Sequence, residues 1–221
     1  ENLWVVMPAH NEESSIGGVL DGLKRAGYGQ IIVVNDGSRD RTVEVARSKG
    51  AVVVSHEHNR GLGAALRSGL EEARRRGADA AVTFDADGQH DPRAISGLVD
   101  ALNEADLAVG VRERGVMPWN KRVGNFGLDV ITRLLGGPLI DSQSGFRVFN
   151  RRALEEIQIC SDRYAVSSEI MIQSQKRGLK VKGVPIRGIF TDYSKARGTT
   201  IASGFKIFLG LLRLKVIQCA C

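Results

Sequence analysis

Residues 80–92 read Ala80-Ala81-Val82-Thr83-Phe84-Asp85-Ala86-Asp87-Gly88-Gln89-His90-Asp91-Pro92. An apolar, β-prone run stops in a carboxylate-rich turn, and Asp91-Pro92 then offers an N-cap with proline at the first helical position. The stretch therefore reads as strand, loop and helix start. The same alternation recurs on both sides of it. β-rich runs at 3–7, 30–35, 51–55, 80–84 and 107–111 alternate with amphipathic stretches at about 13–26, 40–49, 63–77 and 92–103, the order expected of βαβ units around a mostly parallel sheet. Gly27, Gly50 and Gly77 fall where helices should stop. The fold expected is α/β, a doubly wound, Rossmann-like central sheet flanked by helices. In such sheets ligands bind at the carboxyl ends of the strands, so the loops after Met7, Asn35, Ser55 and Phe84 are where chemistry is expected.

The second half is less regular. It suggests a helix over about 120–135, a break at Gly136-Gly137-Pro138, a strand near 146–149, a helix over about 167–177 and a strand over 180–186. No linker rich in Pro, Gly or Ser and no repeat divides the chain, so one continuous domain is expected.

Composition narrows the class further. A chain of 221 residues buries about 70% of the surface that its unfolded form exposes. With 43% hydrophobic and 25% charged residues, it is neither disordered nor collagen-like. Cys160, Cys219 and Cys221 are odd in number and lack zinc-ligand spacing, which fits thiols in a reducing compartment. The last four residues place no cysteine where a prenylation box needs one. The chain starts at Glu1 and not at Met, which leaves room for a targeting segment or membrane span beyond either end.

The net charge of +6 is unevenly placed: from Lys176 onward ten basic residues face the single acid Asp192. A basic end on a mildly acidic body points to an anionic partner, whether nucleic acid, phospholipid headgroups or a phosphorylated substrate, or else to a solvated basic surface. Nucleic acid is disfavoured, because aromatics are only 5% of the chain and no recognised binding motif occurs.

The sharpest chemical signal is the loop after the fourth strand. Alternate side chains of an extended backbone share a side, so Asp85, Asp87 and Gln89 present three oxygens one way. All-oxygen ligands suit Mg²⁺ or Mn²⁺ bridging to substrate phosphates; the alternative is a turn whose short polar side chains cap the next helix. There is no GxxxxGK[ST] loop, and Gly61-x-Gly63 lacks the third glycine of a dinucleotide fingerprint.

Pro8-Ala9-His10-Asn11-Glu12-Glu13, Asn35-Asp36-Gly37-Ser38-x-Asp40, Asn59-x-Gly61 and Asp85-x-Asp87-x-Gln89-His90-Asp91-Pro92 together resemble family 2 glycosyltransferases of the GT-A fold. Gln89-His90, Ser144-Gly145-Phe146-Arg147 and Ser194-Lys195 look most like the dolichyl- or polyprenyl-phosphate hexose synthases. The resemblance runs from residue 3 to about 200 and implies a catalytic domain over 1–200. It implies a nucleotide-sugar donor, with Pro8, Ala9 and Glu12 lining the nucleotide pocket, Asp36 meeting base or ribose, the loop near Arg60 shaping that pocket, and Asp85, Asp87 and Gln89 holding the metal. Arg112 matches an arginine near donor or acceptor phosphate, and Arg147, Ser194 and Lys195 match acceptor-side residues. Asn35 stands where an aspartate is usual, and Arg197 is a further candidate cation. Inversion at the anomeric carbon is implied in the same way.

A lipid phosphate acceptor is already anionic and needs cations, for which Arg112, Arg147, Lys195 and Arg197 are the candidates. A sugar hydroxyl needs a base, for which Asp141 and Glu169 are the carboxylates available. Glu169 reads equally as a solvent-facing helix residue and Asp141 as a turn former. At 201–221, Phe205, Phe208, Leu209, Leu212 and Val216 form an apolar stripe with Lys206, Arg213 and Lys215 mostly off it. This stretch is too short and charged to span a bilayer. It either lies on an anionic membrane surface or packs on the core. The expected location is the cytoplasmic face of a membrane, held peripherally or by a segment outside this chain. A homo-oligomer is compatible with the sequence.

Overall fold

A computed structural model describes residues 2–112, 144–163 and 165–186. The elements are β1 (Leu3–Ala9), α1 (Ile16–Arg25), β2 (Ile31–Asp36), α2 (Thr42–Ser48), β3 (Val52–His56), α3 (Leu62–Arg75), β4 (Ala80–Thr83), α4 (Ala94–Asp100), β5 (Leu107–Arg112), β6 (Arg147–Asn150), α5 (Arg151–Glu156), α6 (Val166–Lys176) and β7 (Val181–Ile186). The strands form one sheet in the order β3-β2-β1-β4-β6-β5-β7. All neighbours are parallel except β6, which runs against both β4 and β5.

Strand periodicity splits the core into two layers. Val5, Met7 and Val33 point to one face with Leu20, Leu23, Ile95 and Phe146. Val6 and Val34 point to the other with Leu66, Leu70, Phe149 and Ile170. Each fully buried phenylalanine or leucine in these layers contributes about 1.5–3 kcal/mol. Every residue of β2 is buried, as a strand covered on both faces requires. α3 lies hard against the sheet at Gly69, where a Cβ would come within 2.3 Å of Val6 Cγ1.

The expected strands all form, with shifted ends. β1 continues through Pro8 and Ala9, which pair with Val34 and Asn35 of β2. Val5 donates toward the β2 side, to Gln30 O at 2.9 Å. Amides alternate along a strand, so the donor that Pro8 lacks faces the β4 side, where β4 has already ended at Thr83. Gly27, Gly50 and Gly77, with φ of 95°, 69° and 70°, follow α1, α2 and α3 as expected. α4 starts at Ala94 and not at Pro92, because Asp91 first closes a turn with its Oδ1 on Arg93 N at 3.0 Å. α5 was not expected from the sequence; Asn150 Oδ1 starts it by accepting from Ala153 N at 2.8 Å. The helix expected at 120–135, the break at 136–138 and the segment 201–221 lie outside the described residues.

β2 and β3 lie on one side of β1, and β4 lies on the other. The strand order thus reverses between β1 and β4, the place where open α/β sheets hold ligands. The loops after Ala9 and after Thr83 flank that crevice.

Candidate active site

The loop leaving β4 is fixed from beneath by an aromatic box. The His90 ring lies 5.7 Å from the Phe84 ring and 5.0 Å from the Phe146 ring, centroid to centroid. Its Nε2 lies 3.0 Å from Asp85 Oδ2. A carboxylate only accepts, so Nε2 carries the proton, and Nδ1 has no hydrogen-bond partner among the described residues. Thr83 Oγ1 donates to Gly145 O at 2.6 Å, which brings the backbone of the Ser144-Gly145-Phe146-Arg147 segment against Asp85.

Asp87 accepts from Gln89 N at 3.0 Å and from Gln89 Nε2. Burial pushes the Asp87 carboxyl above its ordinary pKa, and the neighbouring Asp85 charge adds to the rise. Two carboxylates that repel each other in a half-buried loop fit a divalent cation, which would relieve both costs. No group of three His, Cys, Asp or Glu suited to a metal occurs among the described residues; two carboxylates with phosphate and water oxygens match the usual Mg²⁺ manner of binding. Gln89, expected as a third ligand, turns its amide nitrogen onto Asp87.

The other three loops of the crevice interlock. His10 Nδ1 lies 2.8 Å from Asp36 O, Asn11 N donates to Ser38 Oγ at 3.0 Å, and Arg39 N donates to Asn11 Oδ1 at 2.9 Å. These bonds hold Asn11 at a φ of 56°, a left-handed conformation that asparagine tolerates better than most residues. Glu12 N donates to Thr42 Oγ1 at 2.8 Å, and Ser15 Oγ donates to Glu12 Oε2 at 2.8 Å. Gly37 passes so close to the third loop that a Cβ would lie 2.5 Å from the His58 carbonyl carbon.

Asp36 joins these loops. Its Oδ1 accepts from His56 Nδ1 at 2.8 Å and Arg60 N at 2.9 Å, and its Oδ2 accepts from Gly61 N at 2.8 Å. Burial acts to raise the Asp36 pKa, but the bonds from His56, Arg60 and Gly61 outweigh it and hold the group below the usual carboxylate range. The carboxylate expected to meet base or ribose is directed inward and binds the third loop, with the residue 4% exposed. His56 had drawn no notice in the sequence, because nothing in its spacing ties it to Asp36; its Nε2 lies 2.9 Å from Ser68 Oγ. The Arg60 side chain is exposed at the rim.

In the second half, Arg112 ends β5 in register with Ile186. Arg147, expected as a phosphate-facing cation, is instead wholly buried in β6 between Thr83 and Val109. Glu169, expected as a base or a solvent-facing residue, is also wholly buried, because its carboxylate accepts from Cys160 N and Ser161 N, each at 2.9 Å. The solvent-facing reading fails on that burial. Asp141, Ser194, Lys195 and Arg197 lie outside the described residues.

A mostly parallel sheet with paired aspartates at its switch point is the GT-A arrangement. The chain belongs to the glycosyl transferase family 2, whose family model matches residues 4–158, and is a glycosyltransferase. It is 46% identical to an uncharacterized protein of Methanocaldococcus jannaschii, over 98% of this chain and 93% of that one. It is 39% identical to the UDP-N-acetylglucosamine–dolichyl-phosphate N-acetylglucosaminyltransferase of Methanococcus voltae, over 97% and 96% of the two chains. It is 32% identical to the polyprenol monophosphomannose synthase of Mycolicibacterium smegmatis, over 92% and 84%. Among solved structures it resembles glucosyl-3-phosphoglycerate synthase from Mycobacterium tuberculosis, crystallised with Mg²⁺ and uridine diphosphate. That likeness has a TM-score of 0.76 at 23% identity, covers 96% and 78% of the two chains, and bears on the fold. No helix among the described residues is long and apolar enough to cross a membrane.

Proposed function

We propose that this chain moves a hexose or N-acetylhexosamine unit from a nucleotide sugar, GDP- or UDP-linked, to a polyprenyl or dolichyl phosphate. The observation that carries the reading is the near full-length similarity to the Methanococcus voltae enzyme, combined with paired carboxylates at the β1/β4 crevice. The loops after β1, β2 and β3 cradle the nucleotide, with Pro8, Ala9 and Glu12 on one wall and the Asp36-held loop carrying Arg60 on the other. Asp85 and Asp87 would hold a divalent ion, Mn²⁺ or Mg²⁺, and such an ion would supply electrostatic stabilisation of a nucleoside diphosphate leaving group. Gln89 keeps Asp87 in place for that task, and His90 and Gly145 do the same for Asp85.

A lipid phosphate has a second pKa of about 6 and attacks as an anion, without a strong general base. This suits a site in which the one described candidate base, Glu169, already binds two backbone amides. Arg112, Lys195 and Arg197 are the cations assigned to the acceptor phosphate, while Arg147 adds positive potential from inside the sheet beside the Asp85 strand. Single displacement inverts the anomeric centre. The basic stretch 201–221 rests on the anionic cytoplasmic face of the membrane, where the acceptor lies.

The test is transfer of labelled sugar from GDP-mannose, UDP-glucose and UDP-N-acetylglucosamine to a short polyprenyl phosphate, with unphosphorylated polyprenol and 3-phosphoglycerate as rival acceptors. Label in the lipid phase with the phosphate acceptor alone is the expected result. Transfer to 3-phosphoglycerate alone would overturn the acceptor assignment and leave the family assignment intact.

A further inference from the structure

Residues 158–162 lie between α6 and the start of α3, and side chains grip this strap from both sides. On the α6 side, Glu169 takes two consecutive amides, Cys160 N on Oε1 and Ser161 N on Oε2, each at 2.9 Å. Gln173 binds Gln158 through both main-chain groups: Gln158 N donates to Gln173 Oε1 at 2.9 Å, and Gln173 Nε2 donates to Gln158 O at 2.5 Å. On the α3 side, Arg67 Nη1 donates to Ile159 O at 3.1 Å, and its Nη2 donates to Asp162 Oδ1 at 2.7 Å.

The strap presses on the third crevice loop with no room to spare. A Cβ at Gly63 would come within 1.9 Å of Ser161 O, and one at Gly61 within 2.5 Å of Asp162 O. Asp162 O also accepts from Ala64 N at 3.1 Å, in the first turn of α3. Gly61 N is held from the opposite side by Asp36 at 2.8 Å. The loop carrying Arg60 is therefore clamped between Asp36 and the strap, and Glu169 helps to set the position of the strap together with Gln173 and Arg67. A carboxylate suits this clamp because it accepts at both oxygens, whereas an amide would turn an N–H against one of the two strap amides.

We infer that Glu169 is a positioning residue for the nucleotide, acting through the 158–162 strap on the Arg60 loop, and not a base for the acceptor. The inference rests on the proposed donor site. It predicts that damage at Glu169 appears as weaker nucleotide binding and not as slower chemistry.

The experiment uses Glu169→Gln, Arg67→Ala and the double variant of the full chain. Calorimetric titration with UDP and GDP in the presence of Mn²⁺ is paired with steady-state donor KM and kcat. Each single variant is expected to weaken binding of the nucleotide that wild type prefers by about tenfold, and to raise donor KM alike with kcat changed by less than about threefold. Because both residues act on one strap, the double variant should lose much less than the product of the single losses. Arg67→Ala keeps the test open should Glu169→Gln fold poorly. A fall of kcat by about a hundredfold or more in Glu169→Gln at unchanged nucleotide affinity would make Glu169 a base and overturn the inference. So would a drop in melting temperature with unchanged nucleotide affinity in both single variants. Wild type that binds neither nucleotide would overturn the donor site itself, and the inference with it.

Discussion

Gly145 approaches Asp85 so closely that a Cβ on it would lie 2.8 Å from both carboxylate oxygens. The glycine belongs to the second half of the chain and the aspartate to the first, and the bond from Thr83 Oγ1 to Gly145 O holds them together. Even one methyl group at this position has to push the carboxylate aside.

Gly145→Ala is accordingly expected to lower kcat by about a hundredfold, the cost of misplacing a reacting group by about 1 Å. Circular dichroism and melting temperature should stay near wild type, since the change falls at a loop. Steady-state transfer assays beside a melting curve check this, and a fully active Gly145→Ala would show that Asp85 does not need its present position.

His90 Nε2 supplies a side-chain donor to Asp85 Oδ2 at 3.0 Å and so helps to fix its orientation. His90→Phe fits the same aromatic box but removes the donor. Mn²⁺ affinity in the presence of the nucleoside diphosphate should fall by about 10- to 100-fold, as for other groups that orient a ligand. Electron paramagnetic resonance titration of Mn²⁺ reads this directly, with no turnover required. Unchanged Mn²⁺ affinity would remove His90 from the site.

The depressed pKa of Asp36 has a defined sign for stability. A carboxyl held below its unfolded value of about 3.9 stabilises the fold at any pH above that value, and the contribution disappears as pH falls through the folded pKa. Burial opposes this at Asp36, but His56, Arg60 N and Gly61 N prevail. Urea unfolding at pH 7 and pH 3 should therefore show a larger acid loss for wild type than for Asp36→Asn. Equal losses would mean that the carboxylate gains nothing from its three partners.

Much of the fold was legible because strand and helix periods are local. The runs around Val5, Val33 and Val82 and the stops at Gly27, Gly50 and Gly77 needed no tertiary knowledge. The place of Asp85 and Asp87, in the loop directly after an apolar strand, was equally legible, although the same residues also read as a turn. Contacts between distant residues were not legible. Nothing near Asp36 signals that His56 will reach it, and nothing near Glu169 signals that Cys160 and Ser161 will turn their amides to it. α5 escaped notice because its six residues are too few to show a helical period. Buried Arg147 defeated the rule that arginines face water.

The most direct test of the metal-bearing crevice is the rate of sugar transfer to polyprenyl phosphate by wild type and Asp87→Asn, each measured after EDTA treatment and again with Mn²⁺ restored. If Asp85 and Asp87 hold the ion on the leaving diphosphate, EDTA stops wild type, Mn²⁺ restores it, and Asp87→Asn stays slower by about 10²–10³-fold at saturating donor. Wild-type rates in the EDTA-treated enzyme, or in Asp87→Asn, would contradict that role.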